Sequence, residues 1–100
     1  MVPFLFSTYP ADQIVSGQQA VTASAVPLQD ISIRWIAVKA HDGNAIPVYL
    51  GGDAVTASGA GGGIELGPGD SVSLHVRNAS ALSVIASTTG ASVSWIAEVL

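Results

Sequence analysis

The residues that could perform chemistry in this chain are two histidines, His41 and His75, and a large number of serines. Nucleophilic catalysis requires a base beside a hydroxyl, and that base is usually histidine. His41 precedes Asp42 in a predicted turn, and His75 lies between Ser73 and Arg77 on the polar side of a predicted strand. The Gly-x-Ser-x-Gly segment of α/β-hydrolases does not occur. We therefore interpret both histidines as surface residues, assign no catalytic residue, and do not expect an enzyme.

Metal and cofactor sites are not predicted either. The two histidines lie far apart, no two aspartates lie within ten residues of each other, and there is no cysteine, so no cluster has the spacing of zinc or calcium ligands. The glycine-rich segment 59–63 lacks the Lys-Ser/Thr pair and the helix of a phosphate-binding loop. We interpret it as a loop.

The composition favours a protein that functions by association. Only 10% of its 100 residues are charged, whereas 49% are hydrophobic, so a monomer would expose much neutral surface. A homo-oligomer is expected, although Ala, Ser, Thr and Gly can also form an uncharged soluble surface. Three Lys and Arg residues are too few for a nucleic-acid-binding surface, and the apolar runs are too short to span a membrane. The N-terminus does not resemble a signal peptide, so synthesis in the cytoplasm is expected.

Alternating apolar and polar residues predict strands, the elements that would position any site. In 71–77 the apolar residues Val72, Leu74 and Val76 share one face, and 91–99 repeats this alternation. Together with 82–87, these segments suggest a three-stranded meander. Strands are also predicted near 18–25, 31–40 and 46–50, separated by turns such as Gly67-Pro68-Gly69-Asp70. The fold class is therefore all-β: an antiparallel β-sandwich or jelly-roll-like barrel, with residues 14–100 forming one domain.

The 31–40 segment is apolar on both sides, which is typical of a strand that is central or covered by a partner. Its first face carries Trp35, and the C-terminal strand carries Trp95; both are predicted to point into the core. If the two rings were instead exposed together, they would form a stacking platform for a sugar. Pro47 predicts an edge position for the 46–50 strand, and the glycine-rich stretch 51–63 is expected to cross between sheets.

Residues 1–13 are predicted to form an extended N-terminal arm. Phe4, Phe6 and Tyr9 lie in this segment, ahead of the first predicted strand. Such an arm either adds to a sheet edge of a neighbouring subunit or packs on its own domain. The expected partner interface comprises Phe4, Phe6 and Tyr9 of the arm with three apolar strand residues, Ile36, Val38 and Ile96.

About three quarters of the chain resembles small structural proteins of tailed bacteriophages. The resemblance is carried by Val48-Tyr49-Leu50-Gly51, by Leu66-Gly67-Pro68-Gly69-Asp70-Ser71 and by Val93-Ser94-Trp95. In those β-sandwich proteins, similar "Val-Tyr-Val-Gly", "Leu-x-Pro-Gly-Glu-Ser" and "Val-Ser-Trp/Tyr" segments recur in the same order. Asp70 stands here where the family often has glutamate.

This resemblance implies a virion protein that binds the major capsid protein or other virion proteins. The most specific expectation is a capsid decoration (cement) protein, which stabilises the assembled shell by its binding free energy. A tail, baseplate or fibre component is the first alternative, and a carbohydrate- or ligand-binding β-sandwich is the second.

Overall fold

The computed structural model describes residues 13–58 and 63–100, which form two packed antiparallel β-sheets. The strands are β1 (Ile14–Val21), β2 (Val26–Pro27), β3 (Ile33–Ala40), β4 (Val48–Gly51), β5 (Ile64–Leu66), β6 (Ser71–Leu74), β7 (Ser83–Ile85) and β8 (Ala91–Val99). A single turn of 3₁₀ helix, Ala79–Ala81, begins after Asn78, whose side-chain oxygen accepts a hydrogen bond from the Ser80 N–H. The predicted all-β sandwich is confirmed.

The two sheets differ in strand length. The order β1-β8-β3-β6 forms what we call the long sheet, and β2-β7-β4-β5 forms the short sheet. Successive strands mostly alternate between the sheets, which is the arrangement of a jelly roll. The predicted meander is therefore wrong, because β7 lies in the short sheet whereas β6 and β8 lie in the long one. Neighbouring strands within a sheet, such as β1 and β8 or β2 and β7, thus come from distant parts of the chain.

The core lies between the sheets and is almost entirely aliphatic. Its fully buried side chains come from both sheets; the largest are Ile33, Ile36, Leu50, Val21, Val38, Val48, Val84 and Val93. Trp95 adds its ring from β8 and is 4% exposed, as the alternation in 91–99 predicted. Gly17 lies opposite it in β1, where a Cβ atom would stand 2.9 Å from Cζ2 of the ring. Glycine at position 17 therefore avoids a steric clash with the Trp95 ring.

The predictions made from the sequence were more accurate for the turns than for the strand positions and the connections between strands. Gly69 has φ +86°, and the Asp70 N–H donates to the Gly67 carbonyl at 2.9 Å, as the predicted type II turn requires. By contrast, Pro47 precedes β4, which is a central strand between β7 and β5. The glycine-rich stretch does not cross between sheets, because it joins β4 to β5, its hydrogen-bonded neighbour in the short sheet.

A β-bulge in β3 reverses the predicted orientation of Trp35. Ile33 pairs with Val99 and Trp35 with the adjacent Glu98, so Arg34 is an extra residue in the strand. Beyond the bulge, Ile36, Val38 and Ala40 point into the core. Trp35 therefore lies half-buried on the outer face of the long sheet, not in the core as predicted.

Candidate functional site on the long sheet

The outer face of the long sheet is built from alternate residues of its four strands. Across one row, Ser16 of β1, Ile96 of β8, Ala37 of β3 and Ser73 of β6 lie in register. Serine recurs on this face in all strands except β3, and Lys39 and Glu98 place charges on it. The face is accordingly polar but nearly uncharged.

Apolar side chains collect at one end of this face. Ile96 is 45% exposed and Ile14 is 55% exposed. Ile14 and Trp35 pair with Glu98 from opposite sides, two residues along β8 from Ile96, so both are diagonal neighbours of Ile96. We call Ile14, Trp35, Ala37 and Ile96 the outer patch. Exposed apolar patches of this kind commonly mark protein interaction surfaces.

The structure changes the predicted partner interface. Ile96 is exposed, but Ile36 and Val38 are 0% exposed and pack in the core. Those two residues cannot contact a partner, because the bulge at Arg34 turns their side chains inward. Phe4, Phe6 and Tyr9 lie outside the described residues. Ile14 and Trp35 were missed: the bulge leaves no clear mark in the sequence, and Ile14 directly follows the predicted arm.

A second cluster on the outer face joins His41 to two serines of β8. The Nδ1 atom of His41 lies 2.6 Å from the Ser92 hydroxyl, and Nε2 lies 2.6 Å from the Ser94 hydroxyl. The Asn44 side chain adds two hydrogen bonds to the Ser92 backbone, at 2.9 and 3.0 Å. These contacts fasten the predicted turn after β3, which closes through the Asn44 N–H and the His41 carbonyl, to the start of β8.

This cluster resembles a nucleophile and base only in part. The group on His41 Nδ1 is the neutral hydroxyl of Ser92, whereas a catalytic triad has a carboxylate there to stabilise the imidazolium. The neighbouring Asp42 points its carboxylate toward Lys39, at 3.7 Å. The two serine hydroxyls therefore provide hydrogen-bond partners for both ring nitrogens of His41, and the contacts hold the turn against β8.

An open groove of about 520 Å³ lies beside the bulge. It is lined by Ile33, Arg34, His75, Val76, Arg77 and Leu100. The β3–β6 pairing is interrupted here: His75 Nδ1 lies 3.3 Å from the Arg34 carbonyl oxygen, and the Ile33 N–H donates to the Arg77 carbonyl. Two of the chain's three cationic residues line the groove, a charge that favours anionic groups.

The tryptophan platform considered from the sequence is not formed. Trp95 lies on the inner face of the long sheet and Trp35 on the outer face. The two indoles therefore cannot stack on one ligand, which removes the main sequence argument for a sugar-binding site. Within the described residues no group of three or more His, Cys, Asp or Glu side chains is placed to bind a metal ion, and no helix there is long and apolar enough to cross a membrane.

Comparisons with known proteins matched a solved structure from work describing Bacillus endospore appendages as a novel family of disulfide-linked pili. It has 18% sequence identity and a TM-score of 0.42, over 97% of this chain and 100% of that one. This distant likeness assigns no function to the chain, which itself contains no cysteine. No family model and no curated protein matches the sequence.

Proposed function

We propose that this protein is a structural subunit of a larger protein assembly and that the outer patch is its docking surface. The observation that carries the proposal is the pair of half-exposed isoleucines, Ile14 and Ile96, clustered with Trp35 on a nearly uncharged sheet face. Covering that face would remove apolar surface from water, and a partner would also have to meet the charge of Glu98, which lies between Ile14 and Trp35. A permanent, weakly ionic interface suits such a surface.

The specific form of this proposal is a tailed-phage virion protein, with capsid decoration as its first role. It rests on the resemblance of the strand and turn segments around Val48–Gly51 and Gly67–Asp70 to phage structural proteins. In that role the protein would bind only the assembled shell and stabilise it by mass action. A tail, baseplate or fibre position uses the same surface, and electron microscopy of labelled particles would distinguish the two.

The test is to add the purified protein to particles made without it and to measure their temperature of disruption. We expect the wild type to bind and to raise that temperature. An Ile96→Glu variant should lose both effects, because it places a charge in the centre of the outer patch.

Ile64→Glu is the matched control. Ile64 is 47% exposed, nearly the same as Ile96, but it lies on β5 of the short sheet. Binding that survives Ile96→Glu, or that Ile64→Glu weakens equally, would contradict the assignment of the docking surface. No binding of the wild type to any part of the particle would contradict the virion role itself.

A further inference from the structure

The four edge strands of the two sheets differ greatly in how well they are protected against pairing with another chain. Among the described residues, β2 has two residues including Pro27, β5 has three including Glu65, and β6 has four. By contrast, β1, the other edge strand of the long sheet within residues 13–58 and 63–100, has eight residues, Ile14–Val21, with no proline and no charged side chain. Its register with β8 runs without a bulge. Proline, charge, bulges and shortness are the devices that normally block edge pairing, and β1 has none of them.

The hydrogen-bond pattern shows which backbone groups of β1 face outward. The Val99 N–H donates to the Gln13 carbonyl at 3.0 Å, so residues 13 and 99 are a hydrogen-bonded pair in the antiparallel register. Since such pairs alternate along the ladder, the odd-numbered residues of β1 bond to β8. The even-numbered residues, Ile14, Ser16, Gln18 and Ala20, direct their N–H and C=O groups toward the free edge.

We propose that two copies of this chain pair antiparallel through β1, so that their long sheets join into one eight-stranded sheet. A second copy is a suitable partner because β1 carries no charged side chain. Two copies of the strand can therefore pair across a twofold axis without repulsion between like charges. Directly opposed residues share a face, so the paired positions must both be even or both be odd. The register that places Gly17 opposite Gly17 pairs all four outward residues: Ile14 with Ala20, and Ser16 with Gln18. The outer patches of both copies then lie on the same face of the joined sheet.

Although Ile14 belongs to both surfaces, this inference, which deepens the proposed function by naming a second copy as a partner, uses mainly a different set of groups. It depends on the backbone of β1, whereas docking to the larger assembly depends on the side chains of the outer patch. The two claims therefore respond to different substitutions.

Proline substitution at the edge provides the test, with sedimentation velocity over a range of concentrations as the measurement. Gln18→Pro removes an N–H that points to the free edge and leaves the intrachain ladder intact. We expect a dimer for the wild type and a dissociation constant about tenfold or more higher for Gln18→Pro, since the lost bond occurs twice in the dimer.

Ser73→Pro is the matched control on the opposite edge of the same sheet. The Ala40 N–H donates to the Asp70 carbonyl, so by the same alternation Ser73 of β6 also directs its N–H outward. This variant should dimerise like the wild type. A wild type that is monomeric at every concentration, a Gln18→Pro protein that dimerises normally, or equal loss in Ser73→Pro would overturn the proposal.

A second measurement covers the case in which Gln18→Pro fails to fold. Because the chain has no cysteine, an equimolar mixture of Ser16→Cys and Gln18→Cys proteins should form a mixed disulfide on mild oxidation, as these residues oppose each other in the proposed register. A mixture of Ser71→Cys and Ser73→Cys proteins should not. Absence of the mixed disulfide from the first mixture would overturn the pairing, even if binding to particles still depended on Ile96. If the mixed disulfide formed but binding to particles did not depend on Ile96, the dimer would be supported and the docking surface would be contradicted.

Discussion

The two faces of the long sheet are made from the same four strands but have opposite properties. The inner face presents Ile36, Val38, Val93 and Trp95, all at most 4% exposed, against the short sheet. The outer face carries mainly serines and other uncharged residues, with a few apolar side chains around Ile96. The comparison teaches that an apolar residue in a strand gives little information by itself: its face decides whether it stabilises the fold or is available to a partner.

The largest expected difference between the faces is in the cost of truncating an isoleucine. Ile36→Ala should lower the free energy of unfolding by about 2–5 kcal/mol, because it leaves a cavity in the closed core. Ile96→Ala should cost about 1 kcal/mol or less, since its side chain is already half in water. Urea denaturation followed by tryptophan fluorescence would measure both. Similar costs for the two variants would show that the faces are not as distinct as we describe.

A smaller difference is expected between adjacent residues of β1 that point to opposite faces. Gly17→Ala should destabilise the protein by about 1–3 kcal/mol, because its new methyl group would meet the Trp95 ring at 2.9 Å. Ser16→Ala, on the outer face, should change stability by about 0.5 kcal/mol or less. Thermal unfolding of both variants checks the pair. If Gly17→Ala were neutral, the close packing of β1 against the indole would be wrong.

The smallest expected effect concerns the polar part of the outer face. Ser92→Ala removes the hydroxyl that contacts His41 Nδ1 at 2.6 Å and should cost about 1 kcal/mol. Ser71→Ala, an exposed serine of the same face, should cost about 0.5 kcal/mol or less. Equilibrium unfolding of the two variants distinguishes them. Equal values would mean that the His41 cluster does not brace the turn after β3.

Local chemistry explains where sequence reasoning succeeded. Alternation in 91–99 correctly oriented Val93, Trp95 and Ala97 inward, because β8 is regular from end to end. The Pro68-Gly69 turn was also correct, since its geometry depends on the φ preferences of those two residues alone. The alternation in 91–99 also predicted that Ile96 points away from the core, and its exposure agrees with that prediction. Contact of Ile96 with a partner remains a prediction.

The failures share a non-local cause. A period of two assigns every residue after an irregularity to the wrong face, so one extra residue at Arg34 placed Trp35 outside and brought Ile36 and Val38 into the core. Likewise, Ser92 and Ser94 lie about fifty residues from His41, so their contact with its ring depends on which strands are neighbours.

The sequence by itself determined an all-β chain with few charges, its regular strands and its tightest turns, because these depend on side-chain type and short-range backbone preference. Only the tertiary structure decided which sheet each strand joins, where the bulge lies and which strand is left at an open edge. Those features arise from pairing between distant segments, whose competing registers differ in how well they bury the core, and no local pattern records that outcome.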